Sequence, residues 1–343
     1  MDVFQRYNIS QHLAQKMADD ANMALSNSTK SNYNTVKNNI ARCEIAMEAD
    51  LSFPWDTKEV LTFLAYLLYG RQVCAKTANC QLSGVMMAHM ELLLDPPCLR
   101  PPIVKLLLKG REHWESVTKS LAGKPKKAPV TIEMNKVIKR KLFEADWTPE
   151  QKFCFWCADT LVWNGSLRIH EILSREEKNF DPQQTMLFDD IEMTTVKIGQ
   201  TEKKIIKLCL KCTKENRIGG NTVLEILSNG SDLFPVKAIT KYMKIMGAKL
   251  KKGKPFFLKS NGSCYTGKNF NADLESLTKD VTDGTGFSVR SHCFRAGVPS
   301  ELAKRGATSE QIAGVGRWSS SAWKAYCKLH VTKRQNMVDT LFS

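Results

Sequence analysis

The sequence predicts a mainly helical α+β protein built from two domains. The chain has 343 residues, enough for two domains of roughly 100–200 residues each. Helical periodicity dominates from Asn22 to about Leu121 and again beyond Phe234, while short alternating runs rich in β-branched residues lie between these regions. The apolar fraction of 43% and the charged fraction of 25% are typical of a folded globular protein.

The amino-terminal region contains four helical patterns. They are "TKSNYNTVKNNIARCEIAMEAD", "TKEVLTFLAYLLYGR", "AKTANCQLSGVMMAHMELLLD" and "RPPIVKLLLKGREHWESVTKS". In the first pattern Tyr33, Val36, Ile40 and Cys43 recur at helical spacing, and Thr57 is expected to cap the second helix. The region is therefore predicted to be a helical bundle domain spanning residues 1–122.

A short segment of Gly, Pro and Lys, "AGKPKKAPVT", follows the bundle. Neither a helix nor a strand tolerates this composition well, so residues 123–130 are predicted to be an interdomain linker. The second domain then spans residues 131–343.

The middle of the second domain is predicted to form a small antiparallel sheet. Its strand-like runs are "FDDIEMTTVKIG", "KKIIKLCLKC" and "NTVLEIL", and turn residues that include Gly219 and Gly220 separate them. The segments after Phe234 predict helices, among them "PVKAITKYMKIMGAKL", "NFNADLESLTKDVT", "HCFRAGVPSELAKRG" and "SEQIAGVG".

The charge balance favours a polyanionic partner. Lys and Arg number 50 against 35 Asp and Glu, which gives a net charge of +15 and an isoelectric point near 9.3. Nucleic acid is the first candidate and an acidic membrane surface the second. The sequence contains no apolar run of membrane-spanning length and no secretory signal, so an intracellular protein is expected.

Two C-x-x-C pairs raise the alternative of a zinc module. They are Cys154 with Cys157 in "CFWC" and Cys209 with Cys212 in "CLKC". The pairs lie much further apart than the usual spacing of about 15–20 residues in zinc modules. Positions three apart on a strand also point to opposite faces of the sheet. Eleven scattered cysteines indicate a reducing compartment, with buried thiols as the other interpretation.

Two motifs carry arginines beside other polar groups. In "WNGSLRIHEILS", interpreted as an apolar helix, Arg168 and Glu171 share a face, either as a surface ion pair or as groups presented to a ligand. In "SHCFRAGVPSELAKRG", His292 and Arg295 stand at the front of a helix at the edge of a core. A structural histidine is the alternative there.

A third motif, "GVGRWSSSAWKAYCK", contains Trp318 and, eight residues later, Tyr326. Either residue taken alone can be a packed core aromatic. The order of the motifs is more specific: an arginine with a glutamate three residues later, a lysine between two strands, His-x-x-Arg, a tryptophan after a glycine-rich turn, and a tyrosine.

This order resembles the tyrosine recombinases over nearly the whole chain. The run "HCFRAGVPSELAKRGATSEQIAGVGRWSSSAWKAY" is most similar to the recombinases of Crypton and DIRS-like eukaryotic mobile elements. The bacterial Xer branch usually has a histidine where Trp318 stands. The resemblance implies a helical DNA-clamping domain followed by a tyrosine recombinase catalytic domain.

The resemblance also implies the roles of the site residues. Glu171 takes the position of the acidic residue that buttresses the pocket, and Tyr326 that of the nucleophile. The activating residues are Arg168, Lys214, His292, Arg295 and Trp318. Both Lys211 and Lys214 in "KCTKENRIGGN" can be the hairpin lysine, and Lys214 is preferred because it lies nearer the turn.

The implied chemistry explains why these residue types occur together. Transfer of a phosphodiester to tyrosine builds charge on the nonbridging oxygens, which Arg168 and Arg295 can bind through bidentate donors. The family's product is a 3′-phosphotyrosyl DNA with a free 5′-hydroxyl. Neither a metal nor another cofactor is implied.

The partners implied are double-stranded DNA with a specific recombination site and further copies of the chain, commonly four protomers on two duplexes. The final helix, in "VTKRQNMVDTLFS", is expected to dock into a neighbouring protomer. A membrane partner is not implied, and a eukaryotic host would mean a nuclear location. Basic residues expected to contact phosphates, unless they only form a solvated face, are Lys124, Lys126, Lys127, Lys249, Lys251 and Lys252.

Two rival functions remain open on the sequence. A type IB topoisomerase-like enzyme uses nearly the same pocket to nick and close DNA without synapsis. A domesticated sequence-specific DNA-binding protein would keep the fold without cutting, although all six catalytic positions are filled here.

Overall fold

A computed structural model divides the chain into two compact units, Met1–Lys124 and Pro125–Ser343. The division between 1–122, a linker at 123–130 and 131–343 stays a prediction. Two strand residues of the predicted linker, Lys126–Lys127, pair with Phe287–Ser288 in the second unit. The structure describes residues 10, 12–13, 16, 19–20, 27–92, 94, 98–121, 126–127, 129–211, 213, 221–228, 230–282, 287–318 and 324.

The first unit consists of helices packed around their own apolar core. Val36, Ile40 and Cys43 of the first helix are buried in this core, at the spacing that the sequence predicts. A π-helical turn, Tyr66–Gly70, continues the second helix. The helices are α1 (Asn27–Met47), α2 (Thr57–Ala65), α3 (Ala75–Glu91) and α4 (Pro102–Leu121).

The cap of α2 differs from the prediction. Thr57 is the first residue of the helix, and Asp56 is the capping residue. The Asp56 carboxylate accepts a hydrogen bond from the backbone N–H of Lys58 at 2.6 Å, while the Glu59 carboxylate accepts one from the backbone N–H of Asp56 at 2.8 Å. A glutamate three residues after the cap completes this reciprocal pair, and it favours Asp56 over Thr57.

The second unit has the predicted mixture of helices and a small sheet. Its helices are α5 (Ile132–Glu144), α6 (Pro149–Asn164), α7 (Pro235–Met246), α8 (Gly267–Thr282), α9 (Ser291–Lys304) and α10 (Ser309–Gly316). Its strands are β1 (Lys126–Lys127), β2 (Ile191–Ile198), β3 (Thr201–Leu210), β4 (Thr222–Leu227) and β5 (Phe287–Ser288). Strands β2, β3 and β4 form an antiparallel sheet with β3 in the middle, and the predicted mainly helical α+β fold is confirmed.

Helix α6 is the centre of the second unit. Every residue from 154 to 163 is buried, so this helix is surrounded by protein on all sides. Phe155 of α6 stacks on Phe270 of α8 with ring centroids 4.9 Å apart, and Phe270 meets Phe294 of α9 at 5.6 Å. This aromatic chain packs α9, which bears His292 and Arg295, into the same core as α6.

The cysteines of the first C-x-x-C pair belong to this core. Cys154 and Cys157 are buried on α6, and burial raises the pKa of both thiols, which favours the neutral form over the thiolate that metals bind. Cys209 is partly buried on β3, and Cys212 lies outside the described residues. Within the described part of the chain, no three His, Cys, Asp or Glu side chains converge on a position for a metal ion.

None of the helices that the structure describes combines the length and the apolarity needed to cross a membrane.

Asp159 on α6 is expected to make the stability of the protein depend on pH. Its carboxyl is fully buried beside Asn135, and burial raises its pKa well above the ordinary 3.8. The folded protein therefore keeps a proton that the unfolded chain releases above about pH 4, and stability falls as pH rises from there. Asp159→Asn removes this penalty, so the stability of the variant relative to wild type should increase as pH rises from about 4 to about 7.

Urea unfolding of both proteins at about pH 4 and about pH 7 measures this effect. The matched control is Asp146→Asn, because Asp146 is exposed. If the difference in unfolding free energy between Asp159→Asn and wild type does not grow with pH, the result would contradict a buried, neutral Asp159 carboxyl.

Candidate active site

Arg168 and Glu171 lie on a short turn that follows α6. The sequence predicts that both residues share one face of an α-helix, and this prediction is wrong, since α6 ends at Asn164 and Ser166 adopts a left-handed conformation with φ 45°. Arg168 precedes the 3-10 turn Ile169–Glu171. In this tighter geometry the Glu171 side chain turns back towards Arg168. Its Oε2 accepts a hydrogen bond from the backbone N–H of Arg168 at 2.9 Å, and its Oε1 accepts one from the Arg168 guanidinium at 2.8 Å.

Glu171 is a buried carboxylate between two arginines. Its side chain is only 3% exposed, so its contacts differ from those of a surface ion pair. The second arginine is Arg317, whose Nη2 lies 3.0 Å from Oε2 of Glu171. Arg317 stands beside Trp318 in the "GRW" run, but the sequence alone did not identify it as a site residue. The spacing of residues along the chain does not indicate which carboxylate a distant arginine contacts.

Arg295 is buried in the core beside these residues. It is 1% exposed. Its Nη1 donates to the carbonyl oxygen of Ser166 at 2.6 Å, and its Nη2 donates to the carbonyl oxygen of Gly316 at 3.1 Å. These bonds connect the turn after α6 to the end of α10, and together they fix the plane of the guanidinium.

Trp318, which lies two residues after the end of α10, completes the cluster. Its backbone N–H donates to the carbonyl oxygen of Ala313 at 3.0 Å, and its ring centroid lies 5.0 Å from the guanidinium carbon of Arg295. The six-membered ring of Trp318 covers Gly316, where a Cβ atom would overlap it. Only a glycine at position 316 therefore leaves room for the tryptophan in this position.

The substitution Gly316→Ala is expected to displace Trp318 and to destabilise the protein by about 1–3 kcal/mol, because the added methyl group overpacks this contact. The matched control is Gly314→Ala on the same helix, since a Cβ there meets no atom within 4 Å. That control should be neutral or more stable by up to about 1 kcal/mol, the usual preference of a helix for alanine. Urea unfolding compares the two, and equal stability of both variants would contradict the packing of Trp318 on Gly316.

His292 and Arg295 share helix α9 but differ in environment. Arg295 points into the core, whereas His292, the second residue of the helix, is exposed. An exposed imidazole remains accessible to a ligand in solvent. Tyr326 and Lys214 lie outside the described residues.

Lys211, the alternative hairpin lysine, directly follows strand β3 and makes a defined set of contacts. Its ammonium nitrogen lies 2.7 Å from Oδ2 of Asp190 and donates to the carbonyl oxygen of Pro182 at 3.2 Å. The same Asp190 oxygen accepts the backbone N–H of Leu187 at 2.7 Å. Lys211 is thus held in place by a structural ion pair.

The predicted DNA-contacting lysines lie in different settings. Lys249 donates to the carbonyl oxygen of Ser260 at 3.0 Å and lies 3.9 Å from Glu150, while Lys251 and Lys252 are exposed. Lys126 and Lys127 form strand β1, and Lys124 lies outside the described residues.

A cavity of about 360 Å³ lies beside the 3-10 turn that follows Arg168. Partial desolvation of the His170 ring and, secondarily, the nearby charge of Arg175 lower the pKa of this histidine. Arg290 pairs with Glu275 through two hydrogen bonds at the same cavity. The lining residues are His170, Gly267, Lys268, Asn271, Ala272, Glu275 and Arg290.

Comparison with known proteins finds similarity at the level of structure. No family model matches the chain, and no curated protein matches its sequence. The integrase of transposon Tn1549, in complex with circular intermediate DNA, matches with a TM-score of 0.57 at 12% identity over 95% of this chain and 97% of that chain. XerH recombinase bound to a palindromic difH substrate, in a post-cleavage complex, matches with a TM-score of 0.57 at 9% identity over 89% and 76%.

A lambda integrase dimer bound to a COC′ core site matches with a TM-score of 0.52 at 14% identity over 97% of this chain and 81% of that chain. These neighbours are tyrosine recombinases and integrases. At such low identity the likeness shows the fold, which is the fold of tyrosine recombinases.

Proposed function

We propose that this protein is a site-specific DNA recombinase that cleaves and rejoins duplex DNA through a 3′-phosphotyrosyl intermediate at Tyr326. One observation supports the proposal most directly. Arg168 and Arg295, which are far apart in sequence, belong to one network with the buried Glu171 and with Trp318. A site that gathers guanidinium groups around a fixed scaffold is suited to binding a phosphate.

The two arginines stabilise the charge that develops on the nonbridging oxygens of the phosphate. Glu171 orients Arg168, and two carbonyl oxygens orient Arg295, so the donors need little reorganisation when the transition state forms. Donors that are held in place before the reaction stabilise the transition state more than mobile ones do. A guanidinium carries five N–H groups, which allows one side chain to contact both its scaffold and the phosphate.

The phenol oxygen of Tyr326 attacks the phosphorus, and the bond from phosphorus to the 5′-oxygen breaks. An ordinary phenol has a pKa of about 10 and needs a base, or nearby positive charge, to attack at neutral pH. His292 receives the phenolic proton or donates a hydrogen bond to the phosphate. Trp318 can only donate through its indole N–H or pack against the pocket.

The departing 5′-oxygen takes its proton from Lys214. The ion pair of Lys211 with Asp190 favours this choice between the two lysines, because a general acid must move freely to the leaving group. The reaction yields a 3′-phosphotyrosine and a free 5′-hydroxyl, and the reverse attack by a second 5′-hydroxyl rejoins the strands. No metal or nucleotide enters this sequence of steps.

The subfamily resemblance extends the proposal. The protein would act in the integration or excision of a Crypton or DIRS-like mobile element, within the nucleus of a eukaryotic host. Four protomers would assemble on two specific DNA sites, each docking its final helix into a neighbour.

Covalent trapping tests the proposed function. Purified protein is mixed with a library of nicked genomic fragments and denatured in detergent, and the DNA that stays attached to the protein is sequenced. Capture of a common sequence is expected. Binding without capture would support the DNA-binding alternative, and relaxation of supercoiled DNA without intermolecular joining would support the topoisomerase alternative.

A further inference from the structure

Arg317 occupies a backbone conformation that side chains rarely adopt. It follows the last residue of α10 with φ 54° and ψ 45°, in the left-handed region that favours glycine. Its Nε atom is also buried and has no hydrogen-bond partner among the described residues. Both features are unfavourable for an arginine, and the ion pair with Glu171 acts against them.

Arg317 is one of the two arginines that pair with the Glu171 carboxylate. Oε2 accepts both the Arg317 guanidinium at 3.0 Å and the backbone N–H of Arg168, while Oε1 accepts the Arg168 guanidinium. A buried carboxylate that loses one of its cationic partners is strongly destabilised and tends to reorient. A reoriented Glu171 would no longer hold the Arg168 side chain in its present orientation.

Of the two arginines of the proposed phosphate clamp, the end of α10 contacts Arg295 directly and is connected to Arg168 through Glu171. The Gly316 carbonyl oxygen accepts Arg295, and the next residue, Arg317, reaches Arg168 through Glu171. The chain continues from this point to Tyr326, nine residues beyond Arg317. One short segment thus connects both clamp residues to the stretch that carries the nucleophile.

We infer that Arg317 is a positioning residue, which holds Glu171 in the orientation that aligns Arg168 with the phosphate. This inference rests on the proposed function. Arg317 acts through Glu171 and not on the phosphate, so its loss should impair the chemical step and leave DNA affinity nearly unchanged.

A double-mutant cycle tests this role. The proteins are wild type, Arg317→Met, Glu171→Gln and the double variant, and the probe is the DNA duplex captured in the trapping experiment, nicked so that cleavage is irreversible. Single-turnover cleavage at saturating DNA should be slower by about 100-fold in each single variant, since misplaced catalytic groups typically cost this much. The double variant should be no slower than the slower single variant, within about twofold.

Two further variants separate positioning from a general loss of structure. Arg317→Lys keeps the positive charge and should recover part of the cleavage rate. Arg305→Met removes the same kind of charge from an exposed position at the end of α9 and should cleave at the wild-type rate. DNA affinity should stay within about twofold of wild type in all of these proteins if the arginine acts only on the chemical step.

The inference would be overturned if the cleavage rate of the double variant falls by the product of the two single-variant factors, because Arg317 would then act independently of Glu171. A wild-type rate in Arg317→Met would overturn it as well. If wild type cleaves no DNA, the proposed function fails, and urea unfolding of the same four proteins then measures the Arg317–Glu171 coupling. The inference would be overturned in that case too if the effects of the two single substitutions on the unfolding equilibrium constant multiply, within about twofold, in the double variant.

Discussion

Replacing Tyr326 with phenylalanine is expected to abolish covalent capture of DNA and to leave DNA binding unchanged. The substitution removes the attacking oxygen and keeps the ring, so the phosphate can still occupy the arginine clamp while no bond to the protein can form. Detergent-resistant protein–DNA adducts and the DNA dissociation constant are measured in parallel on wild type and Tyr326→Phe. The expected loss of adducts is complete, which makes this the largest effect predicted for the protein.

Tyr69→Phe is the matched control, because Tyr69 is 65% exposed in the first unit and is not one of the residues proposed for the site. It should form adducts at the wild-type rate. Adducts that persist in Tyr326→Phe would assign the nucleophile to another residue. Loss of both adducts and DNA binding in that variant would indicate a change in structure.

The substitution Arg295→Ala is expected to slow cleavage and joining by about 100- to 1000-fold, which corresponds to about 3–4 kcal/mol of transition-state stabilisation. The side chain also bridges Ser166 and Gly316 in the core, so the variant should lose folding stability as well. Unfolding in urea is therefore measured first, and cleavage rates are compared under conditions where both proteins are folded.

Arg295→Lys separates the two effects. A lysine keeps a positive charge but cannot reproduce the planar pair of donors that contacts the two carbonyl oxygens. It should fold better than the alanine variant and still cleave slowly. Near-normal joining by Arg295→Ala would contradict the proposed clamp.

Local sequence was sufficient for most of the fold. The buried spacing of Val36, Ile40 and Cys43 in α1, and the three strand-like runs that became β2, β3 and β4, depend on periodicities that neighbouring residues specify. Element ends were less predictable. Asp56 replaced Thr57 as a cap, and α6 ended before Arg168, because caps and helix ends depend on individual side-chain bonds.

The sequence by itself determined the fold class, the positively charged surface chemistry and the identity of the residues expected to bind a phosphate. Only the tertiary structure decided how those residues are held. Arg295 bridges Ser166 and Gly316, and Glu171 meets Arg317, across separations of 129, 21 and 146 positions. Contacts at such separations arise from the packing of α6, α9 and α10 around one core, and no local pattern in the chain encodes which buried carboxylate meets which guanidinium.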